Sequence, residues 1–419
     1  MKTRDEVQAE AVAALKENNG GTVHILTGGG KCKIAIDYIR QSPDIKSVLI
    51  LVPTNVLKDN WLKEFKKWTN WRTLISTLIS KYQGLIGGNT CVAIETIQTA
   101  YKTHYAPFDL LVLDEIHTML SPEYSKIFTR LSYRQVIGLT ATLDNSKENK
   151  LALYEQYCPV IYSYTEGEAD GVVNKTRFVI INHYLTDEFR IMAGTKEKPF
   201  MIGEAKQYDY LSRQIKQGQQ LMAMAGSDDY FTDASEWFWK KRGNKEQLTA
   251  GKKYLSAITN RRKFLLSLPS TAEVAKRLAK SIILENNSNK VLVFSELVQQ
   301  IQKICKFNVY GEQDESTNSE ILQAFNDGQI RAVGSCYSLT LGVNLIGANT
   351  AILESYQGSD TKATQRIGRL HRLATGDTAT IYIIKVIGTQ QEAWFNFMLR
   401  DYDLSNAEYI GSSTLLTKS

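Results

Sequence analysis

Short apolar runs separated by amphipathic stretches organise the first third of the chain. The runs are TVHILT (22–27), SVLILV (47–52), TCVAIE (90–95), DLLVLD (109–114) and QVIGLT (135–140). Each is rich in Val, Ile and Leu and apolar on both faces, as strands covered on both sides of a parallel sheet are. Between them, segment 55–68 (NVLKDNWLKEFKKW) places Val56, Leu57, Trp61, Leu62, Phe65 and Trp68 at helical spacing. Alternating strand and helix predicts an α/β domain. The pattern returns with KVLVFS (290–295), IRAVGS (330–335), TAILES (350–355) and ATIYIIKV (379–386), a second α/β domain, with 271–285 as its first helix. Residues 186–270 carry few strand-like runs and read as a mostly helical insertion or bridge. The expected division is therefore 1–185, 186–270 and 271–419.

Composition changes this picture little, and charge changes it more. At 419 residues the chain is too long for one ordinary core. The five cysteines, at 32, 91, 158, 305 and 336, show no C-x-x-C spacing, and the five histidines are scattered, which argues against a structural metal. Reduced cysteines, a charged N-terminus and the lack of an apolar run of about 20 residues point to a cytoplasmic protein, or a nuclear one if its host has a nucleus. Net charge is +6, but 240–263 alone holds nine Lys or Arg against one Glu, leaving the rest of the chain slightly acidic. Charge focused in this way suits a polyanion. Beside it stand Trp237, Phe238 and Trp239, placed either to stack on an unpaired base or wedge a duplex junction, or to anchor the insertion to its core.

Two stretches carry candidate chemistry. LTGGGKC (26–32) follows an apolar strand and precedes an apolar-periodic helix. Gly28, Gly29 and Gly30 allow a tight turn with N–H groups aimed at phosphate, the following helix presents its N-terminus to the same anion, and Lys31 would reach the terminal phosphates. LLVLDEIH (110–117) ends a buried strand with two adjacent carboxylates. Asp114 could hold magnesium and Glu115 could act as general base on the attacking water.

Taken in order, GGGK, DEIH and GLTAT (138–142) resemble motifs I, II and III of superfamily 2 helicases of the DExH type. VPTNVLKDNW (52–61) and ETIQ (95–98) are similar to motifs Ia and Ib, VLVFS (291–295) to motif IV, SLTLGVNL (338–345) to motif V and QRIGRLHR (365–372) to motif VI. The resemblance implies two RecA-like parallel-sheet domains that clamp ATP with Mg2+ between them. It implies that Lys31, Asp114 and Glu115 act from the first domain and Arg369 and Arg372 from the second, as arginine fingers. Around the nucleotide it places Gln8, Thr27, Gly28, Gly29, Gly30, Cys32, Gly342, Asn344 and Gln365, with Asp114 and, weakly, Cys32 on the metal. Thr140 and Thr142 would couple the phosphate site to the domain interface. Pro53, Thr54, Thr96, Gln98 and Ser295 would touch the nucleic-acid backbone, and the basic segment would add Lys240, Lys241, Arg242, Arg261 and Arg262.

Three departures stand out. Cys32 replaces the motif I Ser or Thr, Asn344 replaces a common motif V Asp, and 186–270 matches no part of the pattern. The overall look resembles phage-type recombination and branch-migration helicases, which by analogy implies a motor on single-stranded, forked or branched DNA in replication, recombination or repair, in the host-cell cytoplasm if phage-encoded. A duplex translocase that does not separate strands, an RNA helicase and a non-hydrolysing nucleic-acid-binding protein stay open as alternatives.

Overall fold

The computed structural model describes residues 2–26, 28–73, 82–87, 89–121, 123–141, 143, 148–165, 175–194, 197–336, 347–357, 378–400, 402 and 404–416. They form two units.

The first unit is built on an eight-stranded sheet. Its strands are β1 (Gly21–Ile25), β2 (Ser47–Val52), β3 (Arg72–Thr73), β4 (Gln83–Ile86), β5 (Thr90–Thr96), β6 (Phe108–Asp114), β7 (Tyr133–Thr140) and β8 (Val160–Tyr164), in the order β3-β4-β5-β2-β6-β7-β1-β8. From β5 to β8 every pairing is parallel, and only the β3–β4–β5 edge is antiparallel. Alternation along a strand divides the apolar runs between two cores. Val48, Ile50 and Val52 face one cluster with Leu110 and Val112, while Leu49 and Leu51 face the other with Leu111 and Leu113. That two-sided demand is why the runs lack polar positions. Helices α1 (Arg4–Glu17), α2 (Lys31–Arg40) and α3 (Asn55–Trp68) cover the first face, and α4 (Ile97–Lys102), α5 (Ile127–Arg130) and α6 (Glu148–Tyr157) follow in the chain. A capping box from Thr3 and Glu6 starts α1. In α3, Trp61 and Phe65 are fully buried, and truncating either would cost about 3–5 kcal/mol.

The second unit holds a seven-stranded sheet in the order β13-β14-β12-β15-β16-β9-β17, made of β9 (Lys175–Tyr184), β12 (Val291–Ser295), β13 (Asn308–Tyr310), β14 (Ala332–Cys336), β15 (Thr350–Leu353), β16 (Thr378–Ile387) and β17 (Glu408–Gly411). β12, β13, β14 and β15 pair in parallel, and β17 runs parallel to β9. A division at 185 would leave β9 with the first half of the chain; its pairing moves it to the second sheet. The segment 186–270 opens with an antiparallel hairpin, β10 (Arg190–Gly194) and β11 (Pro199–Gly203), before three helices, α7 (Glu204–Met224), α8 (Tyr230–Trp239) and α9 (Lys245–Leu265). α7 and α9 run antiparallel in close contact: a Cβ on Gly218 would lie 2.9 Å from the Tyr254 Cα. Leu211, Phe264, Leu265 and Leu268 cluster with Val386 of β16, which fastens this helical arm to the second sheet. α10 (Pro269–Glu285) follows, with Pro at its first turn. α11 (Val298–Ile304) and α12 (Glu315–Asn326) lie between strands of this sheet, as does α13 (Gln390–Met398), and α14 (Ser413–Leu416) follows β17.

Candidate active site and nucleic-acid interface

The order β2-β6-β7-β1 brings the carboxyl ends of four parallel strands to one edge, where open α/β sheets place their ligands. β1 leads into the glycine loop. Gly28 and Gly30 adopt positive φ, 97° and 90°, and Gly30 caps α2 in the left-handed conformation, so Lys31 opens the helix at that edge. Gln8 of α1 reaches the loop from behind, its Nε2 donating to the Gly29 carbonyl at 3.1 Å. A side chain at Gly30 would collide with Gln8. Gln8 Oε1 is buried and accepts no hydrogen bond among the described residues, a ready acceptor for an exocyclic amine. Cys32 is partly buried and packs against the apolar cluster of this face. Thr27 lies outside the described residues.

At the end of β6, Asp114 is buried and accepts from the Trp61 indole Nε1 at 2.8 Å. Burial, then the neighbouring charge of Glu115, pushes its carboxyl above the usual range. Glu115 turns out of the strand in the left-handed region, φ 54° and ψ 50°, an uncommon conformation for a side-chain-bearing residue and one found at functional sites. The Thr118 N–H and hydroxyl both donate to its carbonyl at 2.9 Å and hold that turn. The turn aims the Glu115 carboxylate at Lys31, 3.7 Å from Nζ, and at His117 Nδ1, 3.5 Å away. His117 Nδ1 lies also 3.0 Å from the Thr140 hydroxyl at the end of β7. Lys31, Asp114, Glu115 and Thr140 thus meet at one edge; Thr142 lies outside the described residues.

The sequence shows Trp61 as an apolar position of α3 and the last residue of the motif Ia match, with no hydrogen-bonding role. A buried indole almost always finds a partner for its N–H, and that rule was the signal available. Sequence reasoning missed a second α3 contact as well: Lys58 Nζ reaches Glu95 Oε2 at 2.8 Å and lies 4.3 Å from the centre of the Tyr82 ring.

β5 and β2 are neighbours, so α3 and α4 begin side by side at the same sheet edge. Pro53 and Thr54 stand at the start of α3, and the Thr54 hydroxyl is buried with no partner among the described residues. Thr96 caps α4, its oxygen accepting from the Thr99 N–H at 3.3 Å, and Gln98 is exposed in the first turn. In the second unit, Ser295 is fully buried; its hydroxyl lies 3.0 Å from that of Ser355 and accepts from the Leu297 N–H, so as placed it offers no surface to a phosphate. Gly342, Asn344, Gln365, Arg369 and Arg372 lie outside the described residues.

The basic segment divides by function of its side chains. Lys240 and Arg242 are both held by Glu236, and Arg261 donates to Gln390 and lies over Tyr208. Lys241 and Arg262 are exposed. Trp237 is buried in the arm's core, the anchoring alternative, while Trp239 is 71% exposed. Among the described residues no three His, Cys, Asp or Glu side chains gather as a metal site, and no helix is long and apolar enough to cross a membrane.

Residues 1–145 match the family model described as type III restriction enzyme, res subunit, and residues 273–374 match the helicase conserved C-terminal domain. The chain is 26% identical over 387 residues to the DNA 3'-5' translocase XPB2 of Sulfurisphaera tokodaii, covering 90% of this chain and 81% of that protein. It is 32% identical over 129 residues to the putative ATP-dependent RNA helicase QP509L of African swine fever virus, 29% of this chain and 24% of that protein. Among solved structures, the Pyrococcus furiosus Hef helicase domain superposes with a TM-score of 0.57 at 16% identity, covering 94% of this chain and 96% of that one. S. cerevisiae Dbp5 bound to RNA and ADP BeF3 gives 0.58 at 11% identity, covering 97% and 90%. These structures share the fold of two parallel-sheet RecA-like domains.

Proposed function

We propose, on the premise that this chain is a superfamily 2 helicase and an ATPase of that class, that it moves along DNA and by that movement remodels forked or branched duplexes. The observation that carries the reading is the shared sheet edge. Lys31 and Glu115, 3.7 Å apart, stand on the edge where α3 and α4 present their first turns. One edge therefore offers both a phosphate site and a row of backbone contacts.

In this reading Lys31 binds the terminal phosphates, and the N–H groups of Gly28 to Cys32 surround them. Gln8 spends its amide N–H on the Gly29 carbonyl and keeps Oε1 for the adenine amine. Glu115, oriented by Lys31 and His117, takes the proton of the attacking water. Asp114 would hold magnesium, which when bound neutralises charge on the phosphates. A thiol is a poor ligand for that hard ion, and the Cys32 side chain is turned to the apolar cluster instead. Arg369 and Arg372 supply the arginine fingers, with Gly342, Asn344 and Gln365 beside the nucleotide. Pro53, Thr54, Thr96 and Gln98 contact the backbone of the tracked strand. The cytoplasm, of a host cell if the protein is phage-encoded, is the proposed place of action.

The test is a panel of ATPase, strand-displacement and triplex-displacement assays on single-stranded, duplex, forked and four-way DNA. Turnover stimulated most by forked or branched DNA, with those substrates remodelled, is expected. Triplex stripped without any duplex opening would make the protein a translocase alone, the activity printed in the name of its archaeal relative. The viral relatives favour RNA as a second reading. Turnover stimulated by RNA and not by DNA would overturn the DNA reading.

A further inference from the structure

The charged surface that sequence assigned to 240–263 is not one patch. Lys240, Arg242 and Arg261 are tied to partners in the arm. Lys241, Lys245, Lys252 and Lys253 are exposed, and among the described residues none of the four is in an ion pair. All four line one open trough between α7 and α9, of about 1030 Å³. Tyr210, 48% exposed, lines it too, as does Phe238, which packs edge-on against the exposed Trp239 with ring centres 4.8 Å apart.

Because the helices are antiparallel, Tyr210 lies toward the end of the trough where α9 carries Asn260, and Phe238 toward the end where it carries Lys245. The lysines occupy the stretch between and around them. Along α7 the lining runs from Tyr210 to Leu221, roughly 16 Å at 1.5 Å per residue. We infer that this trough binds a single strand of nucleic acid, its phosphates on Lys241, Lys245, Lys252 and Lys253 and its unpaired bases against Tyr210 and Phe238.

Three features favour that occupant. Unpaired lysines along a line match a polymer with a charge on every unit. Aromatic side chains at both ends, Tyr210 exposed and Phe238 half-buried, suit bases, all of which have a stacking surface. The trough follows the seam of two helices packed in contact at Gly218, with axes about 8–10 Å apart, and a groove of that scale matches the width of one strand better than that of a duplex. The inference rests on the motor reading to the extent that a remodelled duplex supplies the displaced strand.

The experiment measures binding by the full chain without nucleotide, using labelled oligo(dT) and a blunt duplex over a salt series. The triple variant Lys245→Glu, Lys252→Glu and Lys253→Glu changes only exposed side chains, and its melting temperature checks the fold. It should weaken oligo(dT) at least ten-fold, reduce the steepness of log affinity against log salt by about 2, and change duplex affinity less than three-fold. Tyr210→Ala should weaken oligo(dT) about five-fold or more, with Tyr210→Phe restoring it. Equal loss for duplex and single strand, or no loss for either, overturns the inference. So does an acidic peptide whose binding is abolished by the triple variant while oligo(dT) binding survives. Because no nucleotide is present, absence of DNA-stimulated turnover in the parent chain bears on the motor reading alone.

Discussion

At the scale of single residues, the site is decided by who holds the two carboxylates. Glu115 is aimed by a left-handed backbone and by Lys31 and His117; Asp114 is held by one indole N–H from α3. Trp61→Phe keeps the ring in the core and deletes that donor. Leaving a buried carboxylate oxygen without its partner costs about 1–3 kcal/mol, so the variant should need at least five-fold more magnesium for half-maximal turnover, with turnover at saturating magnesium within three-fold of the parent. An unchanged magnesium requirement would reduce Trp61 to packing. Cys32→Thr should leave turnover intact or raise it at low magnesium, since it replaces a thiol with an oxygen. Loss of turnover in that variant would assign the cysteine a role of its own. Lysine, glycines and carboxylates were legible in the chain because their chemistry is local: a turn, a helix start, a strand end. Trp61 and Ser295 were not, for opposite reasons. The first gains its partner 53 positions away, and the second loses its surface to Ser355 across the sheet.

At the scale of elements, the strands of both cores could be read because burial on two faces leaves an unbroken apolar run. SVLILV is β2 and NVLKDNWLKEFKKW is α3, end to end. What alternates or is exposed was lost: β10 and β11 read as part of a helical segment, and β3 is a two-residue edge strand with the short β4 beside it. β9 has a buried centre, Phe178 to Ile181, but only its pairing, between β16 and β17, shows to which sheet it belongs. β9 also carries His183, buried between the hydroxyls of Ser412 at 2.9 Å and Ser270 at 2.8 Å, so that it joins β9 to the start of α10. Burial holds its pKa down to about 4, against 6.5 for the free side chain. The folded value is the lower one, so between these limits the unfolded chain takes up a proton that the folded chain refuses, and stability falls as pH drops through that window. Glu204, which accepts from the Ser270 N–H at 3.0 Å and whose carboxyl is raised by burial, works in the opposite sense, because the folded chain keeps its proton to higher pH. The His183 part is isolated by comparison with His183→Gln. From pH 7.5 to 5, the parent should lose up to roughly 2 kcal/mol more unfolding free energy than the variant in chemical denaturation. Parallel pH profiles would mean that His183 is solvated or charged in the fold.

At the scale of the whole chain, hydrolysis is the property that neither matched region should supply alone. The match to the restriction-enzyme res subunit ends at residue 145, after Lys31, Asp114 and Glu115, and the match to the helicase C-terminal domain, 273–374, contains Arg369 and Arg372. The two sets are separated by the helical arm, which neither match covers. If Lys31 grips phosphate and Arg372 stabilises the charge that develops on it, then either change alone removes the chemistry. Lys31→Ala and Arg372→Ala should each lower DNA-stimulated turnover by about a thousand-fold, the scale of an arginine finger. Neither side chain carries the arm's trough, so oligo(dT) affinity without nucleotide should stay within three-fold in both. That pairing of readouts matters because a misfolded chain would lose binding as well as turnover. Turnover retained in Lys31→Ala would remove the phosphate loop from the mechanism. Turnover retained in Arg372→Ala alone would leave a one-region ATPase, with the second region serving the nucleic acid only.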